Sequence, residues 1–267
     1  MFFCNDMMNP DTIHRFFIIF ACFFEQEHNM EQLDDILIIP DVHGRTFWKD
    51  ALDDIEDYDK VIFLGDYLDP YPDEGIKFVE AMEVLSSIIQ LKVENLDKVV
   101  LLLGNHDMHY FNPLYRDKAM CWRYDEEYAE MAEEYFDIYQ DMFQLAYEAE
   151  IAGQHLLFTH AGVHSVWYEA HRSSIGRLNA QNLNKLLNKR KGIEFLAEVS
   201  RKRGGFAPVG SIVWNDLSEF ESSKDFPGIY QVFGHTQQME SAIIQKNYAC
   251  LDYRRAFCYQ NGTFLMF

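Results

Sequence analysis

The stretch that most constrains the fold is an apolar run followed directly by polar residues. Residues 99–103 read Val-Val-Leu-Leu-Leu, and Gly104, Asn105, His106 and Asp107 come next. A short apolar run that ends at a glycine predicts a buried, parallel strand. Open α/β sheets bind their ligands at the carboxyl ends of such strands. Taken alone, the tetrad is most simply a polar turn that ends a strand; its importance depends on what accompanies it.

Two other apolar runs precede metal-compatible side chains in the same way. Residues 36–40 lead into Asp41 and His43, and residues 61–64 lead into Gly65 and Asp66. Side chains two apart on an extended segment point in the same direction, so Asp41 and His43 are expected to face one point together.

The segments between these runs have the apolar spacing of helices. Residues 46–57, with Thr46 as the N-cap, and residues 76–93 are each predicted to be helical. The resulting order of strand, helix, strand, helix and strand predicts a parallel sheet. Residues 108–124 are expected to be irregular, and the acidic segment 125–150 to be helical.

The second half of the chain adds two more strand ends of this kind. His160 follows the run 155–159, and His235 follows the run 229–233. Beyond residue 240, short apolar segments alternate with turn residues, which predicts antiparallel strands of a second sheet.

Composition limits the partners and the location. The chain has 267 residues, 48% of them hydrophobic, enough for one large core, and a formal net charge of −20 that disfavours nucleic acid as a partner. Its five cysteines include no Cys-x-x-Cys pair, which is typical of a reducing compartment, so we expect a cytoplasmic protein. No apolar run reaches the ~20 residues that span a bilayer, and no membrane partner is expected.

The N-terminal segment is expected to lie outside the domain. Met30 stands just before the first strand and is a plausible native start. We therefore expect residues 1–29 to be an N-terminal extension, either an upstream translation that is not part of the native protein or a disordered extension of it, and residues 30–267 to form the domain. An N-terminal anchor built on the apolar residues 16–24 is the alternative.

Five strand ends with metal-compatible residues favour a metal site over coincidence. Two divalent ions about 3.5–4 Å apart need a shared ligand, and a carboxylate has two oxygens with which to bridge them. Asp66 is the candidate bridge. A mixed set of oxygen and nitrogen ligands suits Mn²⁺, Fe or Zn²⁺ better than Ca²⁺ or Mg²⁺.

The ordered motifs Asp-x-His, Gly-Asp, Gly-Asn-His-Asp, His-Ala-Gly and Gly-His-Thr resemble the calcineurin-like metallophosphoesterases. Residues 65–69, Gly-Asp-Tyr-Leu-Asp, are most similar to the branch of serine/threonine phosphoprotein phosphatases and bacterial dinucleoside tetraphosphatases. Residues 214–216 and 251–252 resemble further segments of that branch. The resemblance implies an α/β fold: a calcineurin-like β-sandwich of two mixed sheets flanked by helices, in four layers, αββα.

The resemblance also implies roles for individual residues. His106 would be the general acid for the leaving oxygen, and Asp69 would orient it, although an Asp-Pro turn is an equally good interpretation of Asp69. The side chains that would bind two divalent ions, with Asp66 as the bridge, are Asp41, His43, Asp66, Asn105, His160 and His235.

The chain departs from the branch in two places. Pro70 follows Asp69 where the protein phosphatases carry a phosphate-binding arginine, and Gln237 stands where many superfamily members have a second metal-binding histidine. We expect Arg45 and Arg254 to bind substrate in place of the missing arginine. The sequence leaves other candidates open, namely Arg116, Arg123 and Arg255.

These expectations define an enzyme that hydrolyses a phosphorylated protein or small molecule. It would cleave phosphate monoesters or dinucleoside polyphosphates by means of a hydroxide that bridges two metal ions. A phosphodiesterase or nuclease of the same superfamily and a non-catalytic metal-binding scaffold are the alternatives. The physiological substrate, the native metal pair and the oligomeric state are not predicted.

Overall fold

Two mixed β-sheets organise the computed structural model, which describes residues 30–52, 55–151 and 153–267. Residues Gln32–Phe267 form one compact unit. The prediction for residues 1–29 lies outside the described residues. The strands are, in chain order, β1 (Gln32–Leu33), β2 (Asp35–Ile39), β3 (Lys60–Phe63), β4 (Val99–Leu102), β5 (Phe143–Gln144), β6 (Ala146–Ile151), β7 (Gln154–Thr159), β8 (Ile229–Phe233), β9 (Ile243–Ile244), β10 (Tyr248–Cys250), β11 (Phe257–Gln260) and β12 (Thr263–Met266).

The described strands are shared equally between the sheets. One sheet has the order β12-β11-β2-β3-β4-β5, and its four strands β2, β3, β4 and β5 run parallel. The other has the order β1-β6-β7-β8-β10-β9, in which β7, β8 and β10 run parallel. The predicted sandwich of two mixed sheets is therefore confirmed.

The main core lies between the sheets. Alternate residues of β2, such as Ile36 and Ile38, pack with residues of the opposite sheet such as Leu156 and Val232, and all four are fully buried. Their neighbours in sequence, such as Leu37, point to the other face of the sheet and are equally buried. Coverage on both faces explains why these parallel strands read as continuous apolar runs.

Helices cover both sheets: α2 packs against β4, and α7 packs against β6. The helices are α1 (Phe47–Asp50), α2 (Phe78–Glu94), α3 (Asn105–Phe111), α4 (Pro113–Ala119), α5 (Ala129–Tyr139), α6 (Ser165–Ile175), α7 (Ala180–Asn184), α8 (Arg190–Leu196) and α9 (Leu217–Phe220). Among the residues that the structure describes, no helix combines the length and apolar character needed to cross a bilayer.

Several predicted boundaries were wrong. Within the predicted helix 46–57, the described residues form α1 and a short 3₁₀ turn at Ile55–Asp57, and Thr46 makes no side-chain capping bond. The segment 108–124, expected to be irregular, contains most of α3 and all of α4. The helix predicted over 125–150 ends at Tyr139, after which β5 and β6 begin.

The strands of the tail are divided between the two sheets. β11 joins β2 and pairs with it in the antiparallel direction, whereas β10 pairs in parallel with β8 in the other sheet. The expectation that the tail strands are antiparallel and belong to a second sheet is thus correct only in part. β11 and β12 thus extend, beyond β2, the sheet that carries most of the candidate site.

Candidate metal and catalytic site

The side chains predicted to bind metal meet at the carboxyl ends of strands from both sheets. Asp41 and His43 follow β2, Asp66 follows β3, and Asn105 begins α3 directly after β4. His160 and His235 follow β7 and β8 of the opposite sheet. All six side chains are buried. The site is therefore built where the two sheets approach each other at their carboxyl edges.

Asp66 lies at the centre of this cluster. Its Oδ2 is 3.5 Å from Nε2 of His43 and also 3.5 Å from Nε2 of His160. Its other oxygen, Oδ1, accepts a hydrogen bond of 2.9 Å from the backbone N–H of His106. One carboxylate oxygen is thus fixed by the backbone and the other faces two imidazoles, which is the geometry that a bridging ligand needs.

The two imidazoles are held in the tautomer that a metal ligand requires. Nδ1 of His43 donates to the carbonyl of Leu68 at 2.7 Å, and Nδ1 of His160 donates to the carbonyl of Leu64 at 2.8 Å. The proton on Nδ1 leaves Nε2 of each ring as a free lone pair directed at Asp66.

The second half of the cluster consists of Asn105, His160 and His235, whose polar atoms lie close together. Nε2 of His160 lies 3.1 Å from Oδ1 of Asn105 and 3.1 Å from Nδ1 of His235. The amide of Asn105 is oriented by Cys121, whose sulfur accepts from Nδ2 at 3.1 Å. Oδ1 of Asn105 therefore faces His160.

The donor set fits a divalent metal pair. Of the three groups of possible ligand atoms that lie within 4.8 Å of one another in the described residues, one is formed by Asp41, His43 and Asp66 and another by Asp66, His160 and His235; the third contains the acid pair, Asp69 and His106, with His109. Burying so many lone pairs together is unfavourable unless a cation joins them. Asp66 belongs to the first two groups.

Burial and local charge set the pKa values of these ligands. Burial lowers the pKa of His43 and of His235 well below the usual histidine value, which keeps both rings neutral and able to bind metal. For Asp66, burial opposes ionisation, but the surrounding histidines, His160 first, hold its pKa well below the usual range. Burial also raises the pKa of Asp41, so a cation would stabilise its charged form.

The backbone is strained at the site. His43, Asp66, Asp69 and His235 adopt left-handed φ angles of 46°, 53°, 57° and 66°. Such angles are uncommon for residues other than glycine and persist where surrounding structure enforces them. Backbone strain at four residues of one cluster is typical of a functional site.

Two glycines allow the strand ends to approach each other. A Cβ atom at Gly104 would lie 2.1 Å from Oδ1 of Asp66, and one at Gly234 would lie 2.2 Å from Oδ1 of Asp41. Both positions therefore require glycine, because a side chain would displace the carboxylate of a candidate metal ligand.

Asp107 ties together the loops that carry Asp66 and Asn105. Its carboxylate accepts from the backbone N–H groups of Asp66, Tyr67 and Gly104 at 2.7, 2.8 and 2.8 Å. Burial and the nearby Asp66 raise the pKa of Asp107 to about 7, against the effect of these donors. The fourth residue of the Gly-Asn-His-Asp motif thus has a structural role that sequence reasoning did not assign.

His106 and Asp69, the predicted acid and its partner, are in direct contact. Nδ1 of His106 lies 2.7 Å from Oδ2 of Asp69. Burial opposes protonation of His106, but Cys121, Asp66 and Asp69 raise its pKa well above the usual value. Hydrogen bonds from His106 and His109 outweigh burial and hold the pKa of Asp69 below its usual range.

Two further residues of α3 hold Asp69, and sequence reasoning missed both. Nε2 of His109 lies 2.9 Å from Oδ2, and the hydroxyl of Tyr110 donates to Oδ1 at 2.7 Å. The sequence carried one usable signal: His106, His109 and Tyr110 share a face if a helix begins at Asn105. These contacts favour an orienting role for Asp69 over a simple turn.

The arginine nearest the acid is Arg123. Its Nη2 lies 2.9 Å from Nε2 of His106, and a second nitrogen donates to the carbonyl of Asp69. Its guanidinium lies 3.9 Å from the ring centroid of Tyr71. Arg123 was one of the arginines that the sequence left open.

Arg45 and Arg254, expected to bind substrate, lie beside the same tyrosine but are paired with an acid. Both contact the carboxylate of Glu74. Arg116 is directed away from the cluster and pairs with Glu133.

The segment 214–216 borders the second half of the cluster. The ring of Trp214 packs edge-on against His235, with centroids 5.9 Å apart. Asp216 pairs with Arg203 at 2.8 Å and caps α9. Asp252 is buried, and burial and Asp41 raise its pKa well above the usual value.

A family model described as calcineurin-like phosphoesterase matches residues 35–239, more than half of the chain. The chain belongs to the calcineurin-like phosphoesterase family. The resemblance inferred from the motifs is confirmed.

One curated relative carries the name of the predicted branch. The chain is 30% identical over 121 residues to a putative serine/threonine-protein phosphatase of Caenorhabditis elegans, in an alignment of 44% of this chain and 31% of the relative. It therefore spans about a third of that relative. A solved protein serine/threonine phosphatase from Saccharomyces cerevisiae aligns with a TM-score of 0.48 and 14% identity, over 96% of this chain and 84% of that one.

Proposed function

We propose that this phosphoesterase uses two divalent metal ions to hydrolyse phosphate monoesters or dinucleoside polyphosphates. The observation that carries the proposal is the position of Asp66, whose Oδ2 is equally distant from His43 and His160. Ligand groups on both sides of one carboxylate favour a pair of ions over a single ion.

Each ion would have its own ligands besides the shared Asp66. Asp41 and His43 would hold the first, and Asn105, His160 and His235 the second. When bound, such ions supply an activated water and the positive charge that phosphoryl transfer requires. The mixture of carboxylate, amide and imidazole ligands favours Mn²⁺, Fe or Zn²⁺.

His106 would protonate the leaving oxygen. Asp69 takes the hydrogen bond from Nδ1 and so directs Nε2 outward, toward the position of a leaving group. His109 and Tyr110 fix Asp69 from two other directions. A carboxylate with a hydrogen-bond donor on each oxygen and His109 packed against it has little freedom to rotate.

Arg123 would bind the phosphoryl group. In the present geometry its Nη2 donates to Nε2 of His106, so that atom cannot carry the proton it would deliver. When the Arg123 side chain donates instead to the oxygens of a bound phosphoryl group, Nε2 of His106 would be free to become protonated. Guanidinium groups pair with phosphate through two hydrogen bonds, which makes this exchange favourable.

Two alternatives give different experimental results. A nuclease is disfavoured by the net charge of −20, and a non-catalytic scaffold by the ordered contact between His106 and Asp69. Turnover of p-nitrophenyl phosphate and of its bis ester, each with added Mn²⁺, distinguishes the three. Monoester turnover supports the proposal, diester turnover alone supports the nuclease, and no turnover supports the scaffold.

We also propose a reducing, cytoplasmic location. The cysteines within the described residues, Cys121, Cys250 and Cys258, are free and buried, as expected where disulfides do not form. Localisation of a tagged full-length chain by microscopy tests this.

A further inference from the structure

Two arginines next to the metal cluster converge on one acidic side chain. Nε and Nη2 of Arg45 donate to Glu74 at 2.8 and 2.9 Å, and Nη1 of Arg254 lies 2.9 Å from Oε1 of the same carboxylate. Oε1 therefore receives donors from both guanidinium groups. The side chain of Glu74 is only 14% exposed, so this carboxylate fills a position that the two arginines have formed around it.

The backbone at Arg254 is strained. Its backbone has a left-handed φ of 56°, a strain that is otherwise seen mainly at the metal and acid residues. With its amide oxygen turned toward the guanidinium, Gln237 accepts from Nε at 2.6 Å. Gln237 is the residue that stands where many superfamily members have a second metal-binding histidine. Here that position supports an arginine, and backbone strain of this kind points to function.

The arginines are contiguous with the catalytic centre through Tyr71. The guanidinium carbons of Arg45 and Arg254 lie 5.2 and 5.7 Å from the ring centroid of Tyr71, and that of Arg123 lies 3.9 Å away. The ring of Tyr71 packs edge-on against His43, with centroids 5.1 Å apart. Three guanidinium groups around one ring form a concentration of positive charge in a chain whose net charge is −20, and such local fields select anionic ligands.

We propose that Arg45 and Arg254 form a second anion subsite, for a phosphate group other than the one being hydrolysed, with Glu74 as its exchangeable internal occupant. The inference rests on the proposed function, because it names the substrate class: molecules whose leaving group itself carries phosphate. Two guanidinium groups that converge on one oxygen suit a phosphate, with several oxygens and up to two charges, better than a carboxylate. Free pyrophosphate offers the same chemistry.

The test compares two substrates and one inhibitor. ATP has a phosphorylated leaving group and p-nitrophenyl phosphate does not, so the ratio of their kcat/KM values reports on the subsite. The inhibition constant of inorganic pyrophosphate against p-nitrophenyl phosphate, at constant free Mn²⁺, reports on the free anion. Both are measured for the wild type, Arg254→Gln, Glu74→Gln and a control, Arg172→Gln, whose side chain is 64% exposed and pairs with Glu169.

The two subsite variants should act in opposite directions. In Arg254→Gln, the ratio and the affinity for pyrophosphate should each fall by about tenfold, as expected for loss of one charge-assisted hydrogen bond. In Glu74→Gln, both should rise, because the competing carboxylate is gone. The control should leave both unchanged. Opposite shifts separate a ligand effect from general damage to the fold, which would lower both values in both variants.

The outcomes distinguish the sources of the anion. A change in both the ratio and the inhibition constant supports a subsite for the distal phosphate of a substrate. A change in the inhibition constant alone supports the subsite for a free anion. No change in Arg254→Gln, or shifts in the same direction in both variants, would overturn the proposal.

Failure of the proposed function has a separate signature. It would leave the wild type without turnover of p-nitrophenyl phosphate. In that case calorimetric titration of the same four proteins with pyrophosphate, in EDTA, still tests the subsite. Weaker binding in Arg254→Gln and tighter binding in Glu74→Gln would support it, and equal binding would overturn it.

Discussion

His106 and Asp69 are joined by a hydrogen bond of 2.7 Å between Nδ1 and Oδ2, and His106 directly follows the metal-ligand candidate Asn105 in the sequence. Adjacent side chains at the start of a helix diverge, so one motif serves two purposes: Asn105 faces His160, whereas His106 faces Asp69 and Arg123. Metal binding and proton transfer should therefore be separable by mutation.

Replacement of His106 by alanine should retain both metals but lower kcat by roughly 10²–10⁴, the usual contribution of general acid–base catalysis. The loss should be large for alkyl phosphates and small for p-nitrophenyl phosphate, because nitrophenolate needs little protonation. Asp69→Asn should show the same trend more weakly. The measurement is kcat for leaving groups of different pKa, with metal content determined in parallel. An equal penalty for every leaving group, together with lost metal, would make His106 a ligand or structural residue.

The residues that hold Asp69 give a finer test. Tyr110→Phe removes the donor to Oδ1 and keeps the ring, so kcat for alkyl phosphates should fall by about threefold to tenfold, the value of one hydrogen bond. KM and metal content should remain as in the wild type. Tyr135→Phe, on α5, is the matched control. A Tyr110→Phe variant that affects all leaving groups alike would exclude a role in orienting the acid.

The central strands and the meeting of the candidate ligands at their ends could be predicted because both depend on local sequence. The apolar runs 36–40, 61–64 and 99–103 supply most of β2, β3 and β4; the second and third end at glycines, and the first leads directly into Asp41. A strand end fixes where the next polar side chain lies, so Asp41, Asp66 and their partners could be named from the sequence.

The remainder depends on contacts between segments far apart in the chain. Arg123 contacts His106 only because the chain turns back toward the site after α4. No sequence pattern near residue 123 predicts this contact. The segment that became β6 contains Glu148 and Glu150, which are only partly buried, alternating with buried alanine and isoleucine. That alternation was hidden by the acidic, helix-favouring composition of the preceding residues, so the predicted helix extended too far.

Stability should depend on Asp107. Asp107→Asn keeps the shape of the side chain but replaces one acceptor oxygen with an N–H group that faces N–H donors. We expect the free energy of unfolding to fall by about 3 kcal/mol, since a buried donor left without an acceptor costs about 1–3 kcal/mol. Urea unfolding of the metal-free protein measures this. The exposed variant Asp117→Asn on α4 serves as the control, and equal stability of the two variants would contradict the assigned role.

The lowered pKa of His235 predicts how acid affects the metal-free protein. Below about pH 6.5 the unfolded chain protonates this histidine, whereas the folded chain, in which burial and Arg203 lower the pKa, does not. The unfolded state then binds more protons, so stability is full above that pH and falls as the pH decreases. In His235→Gln, the slope of unfolding free energy against pH between 6 and 5 should be smaller by up to about 1.4 kcal/mol per unit. Urea unfolding in EDTA at several pH values provides the slope, and an unchanged slope would mean that His235 is protonated in the folded protein.

The proposed bridging role of Asp66 predicts the metal stoichiometry. Wild-type protein loaded with Mn²⁺ should contain about two ions per chain, as a dinuclear site requires. Asp66→Asn replaces Oδ2 or Oδ1 with an amide nitrogen, which cannot ligate, and it removes the charge that both ions share, so both should be lost. Asn105→Ala should lose only the second ion, because Asn105 contacts His160 and not His43. Asp137→Asn, on the exposed face of α5, should retain both. The measurement is elemental analysis after gel filtration, and electron paramagnetic resonance of Mn²⁺ detects magnetic coupling between the two ions. Two tightly bound ions in Asp66→Asn would show that Asp66 does not bridge the ions. Loss of a single ion from both Asp66→Asn and Asn105→Ala would indicate that Asp66 binds one metal only.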